Sequence, residues 1–463
     1  MLLIEKEIYI PSIKQEVSRL KFFERAIKAQ LSPSEVSVRF AVTKSDADGY
    51  HCELGILTES NTLQAGQQIS IFDFEKRRLE NTDKFNAVMI VPTGIGAELG
   101  GHAGDATPAA RLLAGACDKL ITHPNVVNAS DINEMPENGL YVEGSVISRL
   151  LMGTIGLQVS RSNRILLIID EHEDKQIAEL AINAASAARI TLGLDCAGVV
   201  KIDPPVYLRA EYSSSGSAVG RVEGLERLLE VIDRHRSEFD AVALASKVDI
   251  SEGLYAEYFR SDGKIINPWG GVEAMLTHSI SLLFNVPSAH APMAENMQEA
   301  NAVFGIVDPR MSPEAVSSCF LHCVLKGLHK SPQIITDRSL FTHSNILTAT
   351  DISCLVIPDG CIGLPTLAAL EQGIPVIAVR ENRNRMENDL AKLSFAPGKL
   401  FIVDNYLEAV GVMTALKCGI SVTAVRRPLA DTYVTSERLC GLLKGYDSDK
   451  IPGEASTVTS AEN

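Results

Sequence analysis

The sequence has few of the features that mark membrane or nucleic-acid-binding proteins. Its apolar runs, such as residues 165–169, fall far short of the roughly 20 residues that a membrane-spanning helix requires. Basic residues are outnumbered, with 43 Lys and Arg against 58 Asp and Glu and a formal charge of −15. Because this charge repels phosphate and no basic tract offsets it, we expect neither a membrane nor a nucleic acid as a partner.

The sequence also leads us to expect neither paired cysteines nor a secretory signal. The nine cysteines show no paired spacing, so we expect no disulfide framework. Glu5 and Glu7 interrupt the stretch in which a secretory signal needs a continuous apolar core. These features predict a cytoplasmic protein. The sequence motifs of zincins, α/β-hydrolases, thioredoxin-like proteins and EF-hands are absent too.

What is present is the composition of an ordinary globular protein, with 46% hydrophobic and 22% charged residues among 463. From residue 87 onward, short apolar runs alternate with helical segments, which is typical of buried parallel sheets. We predict strands at 88–91, 119–122, 165–169, 198–202, 241–244, 334–335, 354–357, 376–379 and 400–403. We predict helices at 108–116, 175–192, 222–234, 272–283, 313–328, 364–372 and 407–417.

These elements exceed one doubly wound sheet, so we predict an α/β protein with two Rossmann-like domains whose sheets are mostly parallel. A small N-terminal α+β module, with a helix at 13–27 and strands at 36–42 and 52–57, precedes them. The predicted divisions are the module at 1–80, a first α/β domain at 81–205, a second at 206–445 and a disordered tail at 446–463.

A glycine-rich loop joins the strand at 88–91 to the next helix, whose predicted N-cap is Thr107. Free backbone N–H groups and a helix N-terminus at such a junction suit an anion. The glycine spacing is one residue longer than the dinucleotide pattern, and no P-loop sequence follows. An anion site, a dinucleotide site and a purely structural glycine turn therefore stay open. The candidate cradle comprises Gly94, Gly96, Gly100, Gly101, Gly104 and Thr107.

Polar side chains lie within this loop and after the next strand, at the sheet edge where ligands bind. The alternative is that Asn and Asp merely form turns and caps there. The candidate acid–base or metal-binding residues are His102, Asp105, His123 and Asp131, and the candidate ligand-binding residues are Asn125 and Asn128.

Three further segments supply ligand-binding candidates. Arg209 and Arg221 flank a flexible serine-rich stretch and could clamp a carboxylate or phosphate, unless they form ordinary surface ion pairs. Asn267, Gly270 and Gly271 open a helix that continues with Glu273 and His278, at a spacing that need not place those two on one face. The candidates after two later strands are Asp359, Arg380, Glu381 and Asn382.

Several long segments are similar to an uncharacterised family of conserved proteins from cyanobacteria, plastids and some other bacteria that carry a domain of unknown function. The segments are VPTGIGAELGGHAGDATPAARLLA, THPNVVNASDIN, RAEYSSSGSAVGRVEGLE, INPWGGVEAMLTH and CLVIPDGCIGLPTLAALEQGIPVIAVRENRN. The resemblance covers about residues 85–425 and leaves the first 80 outside. It implies a shared fold and site without naming a reaction.

The leading hypothesis is an enzyme that acts on a small anionic metabolite in a cleft between two α/β domains, with the reaction class open. The alternatives are an NAD(P)-dependent oxidoreductase and a non-catalytic metabolite sensor. No standard motif supports a dinucleotide or divalent metal as cofactor, so the cofactor is unknown. Besides the metabolite, the partner that we consider is a further copy of the chain, in a homo-oligomer.

Overall fold

The fold is a mixed α/β arrangement, seen in a computed structural model that describes residues 1–12, 18–58 and 70–436. Its strands are β1 (Leu2–Pro11), β2 (Glu35–Ser45), β3 (Gly49–Thr58), β4 (Asn86–Met89), β5 (Lys119–Thr122), β6 (Asn128–Ala129), β7 (Ile132–Asn133), β8 (Gly139–Tyr141), β9 (Gly156–Gln158), β10 (Arg164–Asp170), β11 (Asp195–Ile202), β12 (Tyr207–Tyr212), β13 (Ala218–Glu223), β14 (Ala241–Asp249), β15 (Ser288–Met293), β16 (Gln333–Ile335), β17 (Ile346–Leu347), β18 (Ile352–Pro358), β19 (Ile362–Gly363), β20 (Val376–Val379) and β21 (Leu400–Val403).

The α-helices of the described residues alternate with these strands. They are α1 (Arg19–Lys28), α2 (Thr107–Ala114), α3 (Pro124–Val127), α4 (Gly144–Leu151), α5 (Lys175–Leu192), α6 (Leu225–Arg234), α7 (Leu254–Arg260), α8 (Trp269–Phe284), α9 (Met297–Ala300), α10 (Ser312–Ala315), α11 (Phe320–His329), α12 (Leu364–Gln372) and α13 (Tyr406–Lys417). No described helix is long and apolar enough to cross a membrane.

Six parallel strands form one sheet in the order β21-β20-β18-β4-β5-β8. Every residue of β4, β18 and β20 is buried, as expected where crossover helices cover both faces. The chain passes from β4 through α2 to β5 on one side, and from β18 through α12 to β20 on the other. The strand order therefore reverses between β4 and β18, and such a switch point opens a crevice at the carboxyl ends of the strands.

The larger sheet has ten strands in the order β11-β10-β14-β12-β13-β1-β3-β2-β19, with β15 paired to β14. Strands β10, β11, β14 and β15 pair in parallel, whereas β1 lies antiparallel between β3 and β13. The N-terminal strands thus extend the sheet that contains β10 and β14.

Met1–Gly419 form one compact unit, and a second unit begins at Ile420. The α/β class predicted from the sequence is confirmed in this coarser form. The boundaries proposed at residues 80, 205 and 445 stay predictions. Residues 13–17 of the predicted N-terminal helix, and the predicted tail at 446–463, lie outside the described residues.

Local sequence signals locate many elements closely. The strands at 119–122, 376–379 and 400–403 and the helices at 175–192 and 364–372 have the predicted bounds. The predicted N-cap of α2 is wrong by one residue, because Thr107 is the first helical residue and Ala106 takes the N-cap position without a side-chain cap. The predicted helix at 313–328 is two helices, α10 and α11.

The segment around residues 207–223 differs most from its prediction. Instead of a flexible loop, Tyr207–Tyr212 and Ala218–Glu223 form an antiparallel hairpin. Helix α6 consequently begins at Leu225 rather than at 222. Alternating side chains, with Leu208 and Val222 buried between exposed neighbours, stabilise these residues as strands.

Candidate functional site

A cavity of about 300 Å³ lies at the switch point of the six-stranded sheet. Part of it is lined by the segments that follow β4, β5, β8 and β18, at residues 92–95, 123–125, 143–145 and 361–365. Helix α8, the end of β15 and residues 38–41 of β2 line other parts. Most of the wall is apolar, with a few polar groups, which is typical of a small-molecule site.

The arginine that β2 brings to the wall is neutralised by glutamates. Arg39 Nη1 donates to Glu5 Oε1 at 2.8 Å, and Nη2 donates to Glu53 Oε2 at 3.3 Å. Burial raises the pKa of Glu5 to about 7 in spite of this partner. Arg39 therefore serves the packing of the N-terminal strands and leaves no unpaired cation at this point of the wall.

Glu143 and His278 form a carboxylate–imidazole pair at the junction of α4 and α8. Glu143 is the N-cap of α4, and its Oε2 accepts from the N–H groups of Ser145 at 3.0 Å and Val146 at 3.3 Å. Its Oε1 contacts Nδ1 of His278 in ion-pair geometry without the alignment of a hydrogen bond. Burial alone would raise the pKa of Glu143, but His278 and Ser145 outweigh burial and lower it.

A second glutamate–histidine pair lies on the same helix. Glu273 Oε1 is 2.8 Å from Nδ1 of His290 on β15. The other ring nitrogen of His290, Nε2, is 2.7 Å from Oγ of Ser246 on β14. Both nitrogens of His290 are thus occupied, so its ring is locked between the carboxylate and the hydroxyl.

The two pairs differ in which member is exposed: the histidine in the first pair and the glutamate in the second. In the first, the His278 side chain is 17% exposed and Glu143 only 3%. In the second, Glu273 is 21% exposed and His290 is fully covered. Helix α8 therefore presents one imidazole and one carboxylate to the cavity, each held from behind by a partner of the other type. Five residues along a helix separate them by about 7.5 Å of axial rise.

A third polar cluster contains the predicted residues His102 and Asp105. Nδ1 of His102 is 2.7 Å from the Tyr258 hydroxyl, which lies 3.1 Å from both oxygens of Glu314. Asp105 accepts from the N–H of Gly100, while its Oδ2 is buried without a partner. Of these groups only Glu314 lines the cavity. Burial raises the pKa of Asp105 to about 8 and that of Glu314 to about 7, and lowers that of His102 to about 4.

Three of the residues predicted after β5, His123, Asn125 and Asn128, lie in the cavity wall, but their polar groups are used by the fold. His123 Nε2 accepts from the N–H of Val91 at 3.1 Å, and burial lowers the pKa of His123 to about 4. Asn125 donates to the carbonyls of Val91 and Gly100, and Asn128 donates to the Tyr141 hydroxyl. His123 and Asn125 thus connect the end of β5 with the end of β4 and the glycine loop, and Asn128 connects α3 with β8.

Close packing and backbone conformation explain why the loop contains so many glycines. Gly94, Gly96, Gly100 and Gly104 have positive φ. A Cβ on Gly94 would meet the Ala218 carbonyl at 2.6 Å, one on Gly100 would meet Val91 at 2.7 Å, and those on Gly101 and Gly104 would collide with residues 97 and 129. The structure thus supports the glycine-turn alternative for this loop, and the anion cradle stays a prediction.

Eight of the predicted site residues line the cavity: Gly94, Gly101, His123, Asn125, Asn128, Asn267, Gly270 and Gly271. The N-terminus of α8, to which the last three belong, is capped by the chain itself. Oδ1 of Asn267 accepts from the N–H groups of Trp269 at 3.1 Å and Gly270 at 3.4 Å. An anion at this helix end would have to share or replace that cap.

The other predicted residues lie away from the cavity wall: Gly96, Gly100, His102, Gly104, Asp105, Thr107, Asp131, Arg209, Arg221, Asp359, Arg380, Glu381 and Asn382. Thr107 donates to the Val126 carbonyl at 3.3 Å, and Asp359 accepts from the next N–H at 2.9 Å. Asp131 and Glu381 are exposed, while Asn382 is buried and donates to the Tyr406 hydroxyl.

The predicted clamp arginines form surface ion pairs. Arg209 and Arg221 are 3.8 Å and 3.0 Å from Glu211, and Arg380 is 3.3 Å from Asp404. All three arginine side chains are exposed. Among residues 1–12, 18–58 and 70–436, no group of three or more His, Cys, Asp or Glu is arranged to hold a metal ion.

Sequence reasoning did not include Glu273, His278, His290 and Glu314 among the candidate site residues, although all four line the cavity. Glu273 and His278 were visible on the helix after the glycine pair, but their spacing of five gave no reason to join them. Their partners come from the N-cap of α4 and from β15, and residues 288–293 were not predicted as a strand. Only the tertiary arrangement brings these segments together.

The chain belongs to the family described as protein of unknown function DUF3326, whose model matches residues 86–426. The resemblance noted from the sequence is thereby confirmed. An uncharacterized lipoprotein of Synechococcus sp. is 33% identical over 341 residues, which cover 73% of this chain and 92% of that protein. No solved structure matches the chain.

Proposed function

We propose that the protein is an enzyme that binds a small metabolite in the cavity beside α8 and catalyses proton transfer with His278 and Glu273. The observation that carries this proposal is the reversed arrangement of the two glutamate–histidine pairs. A general acid or base needs an accessible nitrogen or oxygen together with a partner that fixes its orientation. His278 and Glu273 each have both.

The environment of His278 supports its role as a base. Glu143 contacts Nδ1, and no described residue hydrogen-bonds Nε2. A carboxylate at one ring nitrogen selects the tautomer whose other nitrogen can accept a proton. A molecule in the cavity would then meet Nε2 of His278 on one side and the carboxylate of Glu273 on the other.

Glu314 supplies the complementary acid in this proposal. It lines the same cavity, and its pKa of about 7 keeps a share of it protonated near neutrality. The pKa of Glu143 is shifted in the opposite direction, so the carboxylate behind His278 stays ionised. Titratable groups whose pKa values are driven apart by their surroundings are typical of acid–base sites.

Three narrower statements are carried forward within the proposal. The two large sheets would belong to two Rossmann-like domains with the cavity in their cleft, the metabolite would carry a carboxylate or phosphate, and the protein would act in the cytoplasm. The lining positions of Gly94 and Gly101 support an anionic ligand. An oxidoreductase and a sensor remain the alternatives that experiment must separate.

The test is untargeted mass spectrometry of a mixture of small metabolites incubated with the full-length protein, with and without NAD and NADP. We expect at least one metabolite to be consumed and its product to appear. His278→Gln and Glu273→Gln should each slow this conversion by about 100-fold or more. Conversion that needs NAD or NADP would support the oxidoreductase, and retention of a metabolite without conversion would support the sensor.

His235→Gln is the matched control. His235 and Glu238 form a glutamate–histidine pair at 3.0 Å on the surface, outside the cavity. This variant should convert the metabolite at the wild-type rate. Equal rates in His278→Gln, Glu273→Gln and the control would overturn the proposal.

A further inference from the structure

Glu314, Tyr258 and His102 form a continuous hydrogen-bonded chain that starts in the cavity wall. Glu314 belongs to α10, Tyr258 to α7, and His102 to the glycine loop. The Tyr258 hydroxyl is 3.1 Å from each Glu314 oxygen and 2.7 Å from Nδ1 of His102. Three separate segments converge on one hydroxyl, and Tyr258 is completely buried.

The single proton of the Tyr258 hydroxyl gives the chain two complementary states. When Glu314 is protonated, it donates to the Tyr258 oxygen, and Tyr258 donates to Nδ1 of His102, which then carries its proton on Nε2. When Glu314 is ionised, Tyr258 donates to Glu314, and Nδ1–H of His102 donates to the Tyr258 oxygen. The tautomer of His102 therefore follows the protonation of Glu314.

The charges around the chain fit these two states. No described Lys or Arg lies within ion-pair distance of Glu314, whose pKa is raised by burial and further by Glu273. Burial and Arg310 lower the pKa of His102 to about 4, against a smaller opposite effect of Asp308. Near neutrality Glu314 titrates while His102 stays neutral, so its tautomer can change without a change in charge.

His102, at the far end of the chain, is 4% exposed and has a ring nitrogen that is free to take up a proton. No described residue hydrogen-bonds Nε2 of His102. Asp308 and Arg310, whose charges act on His102, form an ion pair at 3.0 Å with side chains 16% and 33% exposed. The buried carboxyl Asp105 adjoins the chain through the same loop.

We propose that Glu314, Tyr258 and His102 are a proton relay that reloads Glu314 after it has protonated the molecule in the cavity. This rests on the proposed function. His102 takes up a proton at Nε2 and gives its Nδ1 proton to the Tyr258 oxygen. The proton that Tyr258 held before passes to Glu314. One proton enters, one reaches Glu314, and the tyrosine and histidine stay neutral. Glu314 is the acid that touches the substrate, and Tyr258 and His102 are positioning residues.

The test is nuclear magnetic resonance of the full-length protein with ¹⁵N-labelled histidine, read from about pH 5 to about pH 9. The ring nitrogens of His102, identified by their loss in His102→Gln, should change from the Nε2–H to the Nδ1–H tautomer with a midpoint near 7, where Glu314 titrates. Tyr258→Phe and Glu314→Gln should each abolish the change. A His102 tautomer that is constant across this range would overturn the relay.

Tyr406→Phe is the matched control, because Tyr406 is also buried and its hydroxyl accepts one hydrogen bond from Asn382 at 2.8 Å. It should leave the change at His102 intact. A change that persists in Tyr258→Phe would contradict the relay. If Tyr258→Phe fails to fold, Glu314→Gln, which keeps the size of the side chain, decides the same question. This test needs no substrate, so the relay and the proposed function can fail independently. The relay can be absent while the proposed conversion is observed, and the relay can be observed while no conversion occurs.

Discussion

Glu143 caps the N-terminus of α4 and, with its other oxygen, contacts Nδ1 of His278 on α8. One carboxylate thus connects the end of β8 with α8, which also lines the cavity. The contact orients His278 and stabilises the fold at the same point. The structural and the functional roles of Glu143 can therefore be measured separately, by unfolding and by conversion of a metabolite.

Glu143→Gln should lower the free energy of unfolding by about 2 kcal/mol near neutral pH, because a buried charged acceptor is lost. The folded state lowers the pKa of Glu143 from its ordinary 4.5. Its contribution is therefore complete above pH 4.5 and is lost as the pH falls through the folded-state pKa. Urea unfolding should show the difference between variant and wild type shrinking toward acid pH. A difference that does not depend on pH would contradict the ion pair.

The contribution of Asp105 to the unfolding free energy should depend on pH in the opposite direction. Burial raises its pKa from 3.8 to about 8, so between these values the folded state retains a proton that the unfolded state releases. Stability should fall as the pH rises through this window. Asp105→Asn should lose less stability than wild type between about pH 5 and about pH 8, measured as melting temperature. The exposed control Asp83→Asn should behave as wild type.

Gly101→Ala tests the packing role of the glycine loop. Its Cβ would collide with the carbonyl of residue 97, whereas a Cβ on Gly198 of β11 meets nothing within 4 Å. Gly101→Ala should cost about 2 kcal/mol or more in unfolding free energy relative to Gly198→Ala, measured by urea unfolding. Equal stability of the two variants would show that the loop tolerates side chains and that packing does not explain its glycines.

Leu3→Ala tests whether the N-terminal strands stabilise the whole sheet. Leu3 is fully buried on β1, between β3 and β13. The substitution should lower the unfolding free energy of the unit by about 2–5 kcal/mol in one cooperative transition. Val199→Ala, at an exposed position of β11, should cost far less. A separate early transition in Leu3→Ala would show instead that the first 80 residues fold as an independent module.

Local patterns predicted most of the parallel strands and the long helices, because each of these elements carries its own signal. Burial on both faces leaves continuous apolar runs, as at 376–379, and the length of α5 shows a helix without reference to the rest of the fold. The hairpin of β12 and β13 was missed because its serine-rich turn resembles a flexible loop. Strand β15 was missed because His290 and Pro292 interrupt its apolar pattern.

The candidate site was only partly predictable for a related reason. The sequence predicted ligand binding at the edge of the sheet after β4 and β5, because strand ends and polar loops are visible in a sequence. A cavity lies at this edge, and ligand binding there stays a prediction. Which polar groups face that cavity depends on contacts between distant segments. The polar groups of Asn125 and His123 form hydrogen bonds with the backbone of Val91. Glu273 and His278 are instead oriented by partners 17 and 135 residues away in the sequence.

The most direct measurement is a thermal-shift screen of small metabolites on wild type and on Ala274→Phe. Ala274 lines the cavity on α8, so a phenyl ring there occupies the space. We expect a metabolite that raises the melting temperature of wild type and of Ala187→Phe, a control on the exposed face of α5, and leaves Ala274→Phe unchanged. A metabolite that stabilises all three proteins equally would contradict the cavity beside α8 as the functional site.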